Sequence, residues 1–225
     1  MTIPDVELDA IPSRFRQLAT HLGSQDPLVL PSDRPLLGEK WAAVLIALSD
    51  SDDPDLIITE RSHSLRKHPG QLAFPGGGAE EGDGGPVGTA LREAQEEVGL
   101  DPASLHVLGV LPAAAVPVSR YDVVGVVGYW DGRQHLAAVD QAEVASVHRW
   151  TVSQLTDPEN RISFVHPSGH TGPAWAFGEY FLWGFTAYVV DHVLRLAEWE
   201  QPWDTGRLVE VPKRFRSDRA QVTDQ

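Results

Sequence analysis

Residues 78–100, GAEEGDGGPVGTALREAQEEVGL, decide how this chain is read. Pro86 suits a first helical turn, Ala90, Leu91, Ala94 and Val98 recur at helical spacing, and Gly99 can close the end in a left-handed conformation. The spacing therefore predicts a helix over 86–98. Glu93, Glu96 and Glu97 then fall on its last turns, where they are badly placed as structure. Like charges four apart cost about 0.2–0.5 kcal/mol, and anions at a helix C-terminus oppose the macrodipole by about 0.3–1 kcal/mol. Arg92 is one compensating cation, but a single guanidinium cannot neutralise three carboxylates. A divalent cation can, because carboxylate oxygens are the ligands that Mg²⁺ prefers. An isolated E-x-x-E-E would otherwise read as a solvated acidic face.

The same stretch resembles the signature of the Nudix hydrolases, G-x5-E-x7-R-E-U-x-E-E-x-G-U with U aliphatic: Gly78, Arg92, Glu93, Glu96, Glu97, Gly99 and Leu100 match. Two positions depart from it. The first Glu of the pattern falls on Gly84, and the U after R-E is the small Ala94. Immediately upstream stand Leu56-Ile57-Ile58-Thr59-Glu60-Arg61-Ser62, then Arg66, Gly70 and Phe74-Pro75-Gly76-Gly77. That arrangement is similar to the extra signature of the coenzyme A pyrophosphatase subgroup, L-L-T-x-R-[SA]-x3-R-x3-G-x3-F-P-G-G, if Ile is allowed for Leu. The two motifs together cover residues 56–100. The resemblance implies an α/β (α+β) fold, a Nudix-type α/β/α sandwich with a mixed β-sheet between helices.

It also implies hydrolysis, dependent on Mg²⁺ or Mn²⁺, of the pyrophosphate of coenzyme A or acyl-CoA, giving 3′,5′-ADP and (acyl-)4′-phosphopantetheine. A diphosphate repels a hydroxide nucleophile, so the reaction needs cations on its oxygens and a water of lowered pKa. Glu93 and Glu97 are the first-choice metal ligands, with Glu96 as a further ligand or as a carboxylate holding a metal-bound water. Arg92 completes the expected catalytic set. Gly76 and Gly77 let the backbone approach a metal or phosphate closely, and the family uses a carbonyl of this turn as a ligand, placed here at Gly77. Arg61 and Arg66 are expected to bind substrate phosphates, since guanidinium pairs bidentately with phosphate. The general base is left between a helix glutamate and one from a distant loop, Glu143 or Glu179. Alternatives are a Nudix hydrolase of another nucleoside diphosphate derivative, such as ADP-ribose, NADH or a nucleoside triphosphate, and a catalytically silent nucleotide-binding module. Retention of all three glutamates argues against the last.

Histidines do not lead elsewhere. His63 and His68 flank Arg66, and His166 and His170 form another loop pair, but no second ligand pair stands at a recognised zinc spacing. Composition agrees with an enzyme of this kind. A formal net charge of −14 over 225 residues argues against a nucleic-acid-binding surface, which demands clustered Lys and Arg. Zero cysteines exclude disulfides and thiolate chemistry. No stretch approaches a membrane-spanning length and the N-terminus has no basic-then-apolar pattern, so cytoplasmic residence is the default expectation. The expected partner is a small-molecule substrate, with no nucleic acid, no membrane, and a homodimer as an open option.

Farther out, residues 1–38 hold a short amphipathic helix with Phe15, Leu18 and Leu22 on one side, then a Pro-rich connection through Pro27, Pro31 and Pro35. The Nudix hydrolase domain is expected over 39–202, with strands at 41–48, 56–59, 105–111, 121–130 and 144–150. A second helix is expected from about Gly178 to Trp199, its stripe of Phe181, Phe185, Tyr188, Val189, His192, Leu196 and Trp199 turned to the core. Residues 203–225 show no periodicity and are expected to be a loosely ordered tail.

Overall fold

A computed structural model describes residues 8–24, 40–116 and 121–216. In chain order the elements are α1 (Arg16–Ser24), β1 (Trp41–Ser49), β2 (Asp55–Arg61), β3 (Leu72–Ala73), β4 (Gly76–Gly78), α2 (Pro86–Val98), β5 (His106–Val110), β6 (Ala114–Val116) and β7 (Tyr121–Trp130). There follow β8 (Val144–Thr151), α3 (Val152–Thr156), β9 (Arg161–Val165), β10 (Thr171–Phe177), β11 (Tyr180–Leu182), α4 (Gly184–Leu196) and β12 (Leu208–Glu210). The Pro-rich connection and residues 217–225 of the expected tail lie outside the described residues.

Alternation along β1 builds the layers. Ala43, Leu45 and Ala47 enter a buried cluster with Ala90, Ala94 and Val98 of α2, while Ile46 and Leu48 enter another with α1 and α4. The result is a mixed sheet between helices, the architecture expected. β1 runs parallel to β7 from Trp41 to Ser49, β7 pairs antiparallel with β5 and β6, and β2 pairs antiparallel with β8. Alanines on both β1 and α2 bring the helix close to the sheet, which gives the small Ala94 a packing reason: it is wholly buried. On the opposite face Phe15, Leu18 and Leu22 are buried as their spacing predicted, each burial being worth about 1.5–3 kcal/mol.

Three expectations are corrected. The second helix starts at Gly184, not near Gly178, because Tyr180–Leu182 pair with β10 as a strand and Phe181 is buried with Ile162 and Phe164 of β9. Gly184 has φ +66° and ends that strand where α4 begins. The glycine run after Pro75 is a short strand rather than a turn, paired antiparallel with β1 from Gly76 against Val44 to Gly78 against Ala42. Residues 203–216 are attached rather than loose. Trp203 lies on the buried Arg161 guanidinium at 4.3 Å, β12 pairs parallel with β9, and Val211 and Phe215 are buried. Strands β9 to β12 form a second sheet, in the order β11-β10-β9-β12, that short polar-punctuated segments did not announce.

Candidate active site

Helix α2 ends as the sequence reads: Gly99 takes φ +74° and its N–H bonds back to the carbonyls of Ala94 and Gln95. Its start is capped by no side chain, Gly85 preceding Pro86. Residues 79–85 then fold back along the helix. A β-carbon at Gly88 would strike the Asp83 carbonyl, so glycine there is what allows the loop to lie against the first turn.

This close approach delivers Asp83, a residue the sequence reading passed over. Its carboxylate accepts from Arg92 Nε at 2.9 Å and Nη2 at 3.3 Å, from the Thr89 hydroxyl at 2.7 Å and from the Glu80 N–H at 2.9 Å. The Arg92 hydrogen bond, ahead of the others, holds the carboxyl far below the usual carboxylate range. The signal was available in one form: Asp83 neighbours Gly84, where the pattern's first Glu falls, and supplies a carboxylate one residue earlier.

Arg92 reaches farther than expected. It also pairs with Glu93 at 3.0 Å and Glu96 at 2.9 Å, and Nη2 donates to the Gly78 carbonyl at 3.0 Å. The three glutamates are not equivalent. Glu96 is turned outward, its side chain 58% exposed. Glu93 and Glu97 face inward over β4, and Glu97 is only 5% exposed. Gly76 N–H donates to Glu97 Oε2 at 3.1 Å, and a β-carbon on Gly77 would collide with the Glu93 carboxylate. Burial lifts the Glu97 pKa to about 7, with the charges of Glu93 and Glu143 adding to the rise and Gly76 N–H and Arg61 opposing it. Glu93 is also raised, by burial first and against the pull of Arg92.

The crowding of Glu93, Glu97 and Glu143 is what a hard divalent cation relieves, and the donors are all oxygens, so this site fits one. Among the described residues no group of three or more His, Asp or Glu side chains could hold a metal ion by itself. Two carboxylates with remaining positions left to water and substrate oxygens is the usual manner of holding Mg²⁺.

Glu143 acts on both inward glutamates from outside the helix. The segment leading to it is pinned to the end of α2: Val139 N–H donates to the Glu97 carbonyl at 2.9 Å, Ala137 N–H to the Val98 carbonyl at 3.3 Å, and the Gln134 amide to the Gly99 carbonyl. Glu179 lies instead in the exposed turn between β10 and β11, where its carbonyl accepts from Arg214. Arg61 ends β2 on the α2 side, close enough to act on Glu97, and its buried Nε has no hydrogen-bond partner. Arg66 is exposed in the loop between β2 and β3. His63 pairs with Glu60 at 3.2 Å and His68 with Gln71 at 3.0 Å, so neither joins the glutamates. His192 is buried within α4, as an interior histidine would be.

A layered mixed sheet carrying a carboxylate helix beside a glycine strand defines the class, and comparison with known proteins gives the family. A model of the NUDIX domain matches residues 39–167, and the chain belongs to the Nudix hydrolase family. Among its relatives, the "Uncharacterized Nudix hydrolase NudL" of Enterobacter sp. (strain 638) is 36% identical over 197 residues, covering 84% of this chain and 94% of the relative. The protein of that name from Escherichia coli (strain K12) is 34% identical over 197 residues, with the same two coverages of 84% and 94%. Similar solved structures include a MutT protein from Methanosarcina mazei Go1, at TM-score 0.48 and 14% identity over 74% of this chain and 96% of that one. Another is the NUDIX domain of Shewanella oneidensis NrtR complexed with ADP ribose, at TM-score 0.41 and 20% identity over 61% and 84%. Nudix hydrolases generally use divalent metal ions such as Mg²⁺. No helix among the described residues is long and apolar enough to cross a membrane.

Proposed function

We propose that this Nudix hydrolase cleaves the pyrophosphate of coenzyme A or acyl-CoA, releasing 3′,5′-ADP and (acyl-)4′-phosphopantetheine. The observation that carries the reading is the placement of Arg61, the arginine of the upstream motif, on the Glu97 side of the sheet with a buried Nε that has no partner. Turning the Arg61 side chain toward a bound diphosphate would give that nitrogen a phosphate oxygen as partner, and guanidinium suits that task. Arg66 adds a second cation for the 3′-phosphate or the pyrophosphate, and Gly76 and Gly77 give the diphosphate access to backbone beside the glutamates.

Glu93 and Glu97 would hold Mg²⁺ or Mn²⁺ with the Gly77 carbonyl, and Glu96 would orient metal-bound water. The ion's contribution is charge neutralisation on the diphosphate and a lowered pKa for water. The chain's own residues do the rest. Arg92 fixes Glu93 and Glu96 relative to β4, and Asp83 fixes Arg92. Glu143, held by the backbone bonds onto α2, is our choice for taking the proton from the attacking water, because its carboxylate is exposed and already feels both inward glutamates.

The test is product chromatography after incubation with Mg²⁺ or Mn²⁺ and, in parallel, coenzyme A, acetyl-CoA, ADP-ribose, NADH and dGTP. Release of 3′,5′-ADP ahead of the other products supports the proposal. Preferred turnover of ADP-ribose, NADH or dGTP would replace the substrate, and no turnover at all would favour a silent binding module.

A further inference from the structure

Residues 62–71 form a closed loop standing on the end of β2. Arg61 N–H donates to the Gln71 carbonyl at 2.9 Å, and Gly70 N–H donates to the Arg61 carbonyl at 3.0 Å. The loop is not relaxed: His68 has φ +57°, a region that residues with a β-carbon seldom occupy. Something outside has to hold that shape, and the contacts show what does.

Gln71 Nε2 donates to the Phe215 carbonyl at 2.8 Å, across 144 residues of chain. A carbonyl can only accept, so the amide orientation is settled: Gln71 Oε1 faces His68 Nδ1 at 3.0 Å, and that nitrogen carries the proton. One side chain thus ties the strained residue of the loop to the C-terminal segment. The Phe215 ring lies in van der Waals range of Gly70, whose φ of +66° and lack of a β-carbon make room for the His63 ring. Phe215 is itself anchored in a buried cluster with Ile162, Phe164 and Val211 of the second sheet region. Val211 N–H donates to the Val165 carbonyl at 3.0 Å, and Arg216 Nε to the Val211 carbonyl at 2.6 Å.

We propose that Gln71 and Phe215 are positioning residues for substrate, clasping the 62–71 loop in the shape that presents Arg66 to a substrate phosphate. The inference rests on the reading of Arg66 given above. Its consequence is that affinity is set partly by residue 215, which lies outside the 39–167 stretch matched by the family. Arg66 supplies the charge, and the clasp supplies its place.

The test is a double-mutant cycle in steady-state hydrolysis of coenzyme A with Mg²⁺, joining Gln71→Leu or Phe215→Ala to Arg66→Ala, with thermal melting of each variant. Gln71→Leu is expected to raise KM about tenfold, the worth of one well-made hydrogen bond, with kcat within about twofold. In the Arg66→Ala background the same change should raise KM no further, and Phe215→Leu should restore most of what Phe215→Ala loses. Equal KM increases in both backgrounds would overturn the clasp, as would a fall in kcat at constant KM. Phe215→Ala costs packing as well, so Gln71→Leu decides if it unfolds. Should wild type hydrolyse ADP-ribose and not coenzyme A, the substrate reading falls alone, and the cycle run with ADP-ribose judges the clasp by the same two outcomes.

Discussion

Asp83 and Arg92 meet through two nearly parallel contacts, Nε to Oδ1 at 2.9 Å and Nη2 to Oδ2 at 3.3 Å, so the carboxylate missing at Gly84 is supplied from the adjacent residue. The pair locks the guanidinium that also grips Glu93, Glu96 and the Gly78 carbonyl. Asp83→Ala should therefore lower activity about 10- to 100-fold, the usual cost of losing a group that orients metal ligands. The check is kcat at saturating Mg²⁺, with the far-ultraviolet spectrum unchanged; undiminished activity would make the pair an ornament of the loop.

Gly77 and Gly76 should fail differently. A β-carbon on Gly77 strikes the carboxylate end of the Glu93 side chain and no backbone, so Gly77→Ala should displace that carboxylate and cost about a hundredfold in kcat with a small change in melting temperature. A β-carbon on Gly76 strikes the Ala43 carbonyl, which cannot yield without disturbing β1, so Gly76→Ala should lower the melting temperature itself. Parallel melting and kinetics on the two variants separate these effects.

Glu97 sets a pH dependence of stability in protein stripped of metal. Its value is 4.5 when unfolded and about 7 in the fold, raised mainly by burial, so the native state holds the proton more tightly. That contribution is fully present below pH 4.5 and is lost as pH rises through 7, amounting to about 3 kcal/mol at 1.36 kcal/mol per unit. Urea midpoints in EDTA from pH 5 to 8 should fall for wild type, and Glu97→Gln should flatten that part of the slope. Saturating Mg²⁺ should flatten it too, since a bound cation replaces the proton.

Arg161 offers a test of stability remote from the chemistry. Its side chain is wholly buried between Trp175 and Trp203 and pairs with Asp191 and Glu200. Arg161→Met should leave those carboxylates poorly compensated and cost about 3 kcal/mol or more, read as a shift in the urea midpoint. KM for substrate should stay within about twofold.

What was legible in the sequence followed from strong local rules. The span of α2 was recovered from Pro86, the apolar spacing and Gly99, and β7 was recovered from a run of β-branched and aromatic residues. The second sheet was missed because β9 to β12 are three to seven residues long and interrupted by His, Gly and Pro, so no period builds up. Tyr180–Leu182 continued the helical stripe on paper, yet strand pairing with β10 outweighed it. Within the site, the inward pair Glu93 and Glu97 was readable from four-residue spacing. Asp83 offered only its place beside Gly84, because its position depends on a loop of positive-φ glycines folding back over Gly88. The place of Arg66 was equally hidden, because the loop after Ser62 follows contacts with residue 215.

The most direct test of the account is the rate of 3′,5′-ADP release from coenzyme A by wild type and Glu97→Gln, each with Mg²⁺ or Mn²⁺, alongside their melting curves. The account predicts turnover by wild type and, for the variant, a loss of at least about a thousandfold with the fold intact, since a carboxylate proposed to hold the ion is removed. Near wild-type release by Glu97→Gln would contradict it.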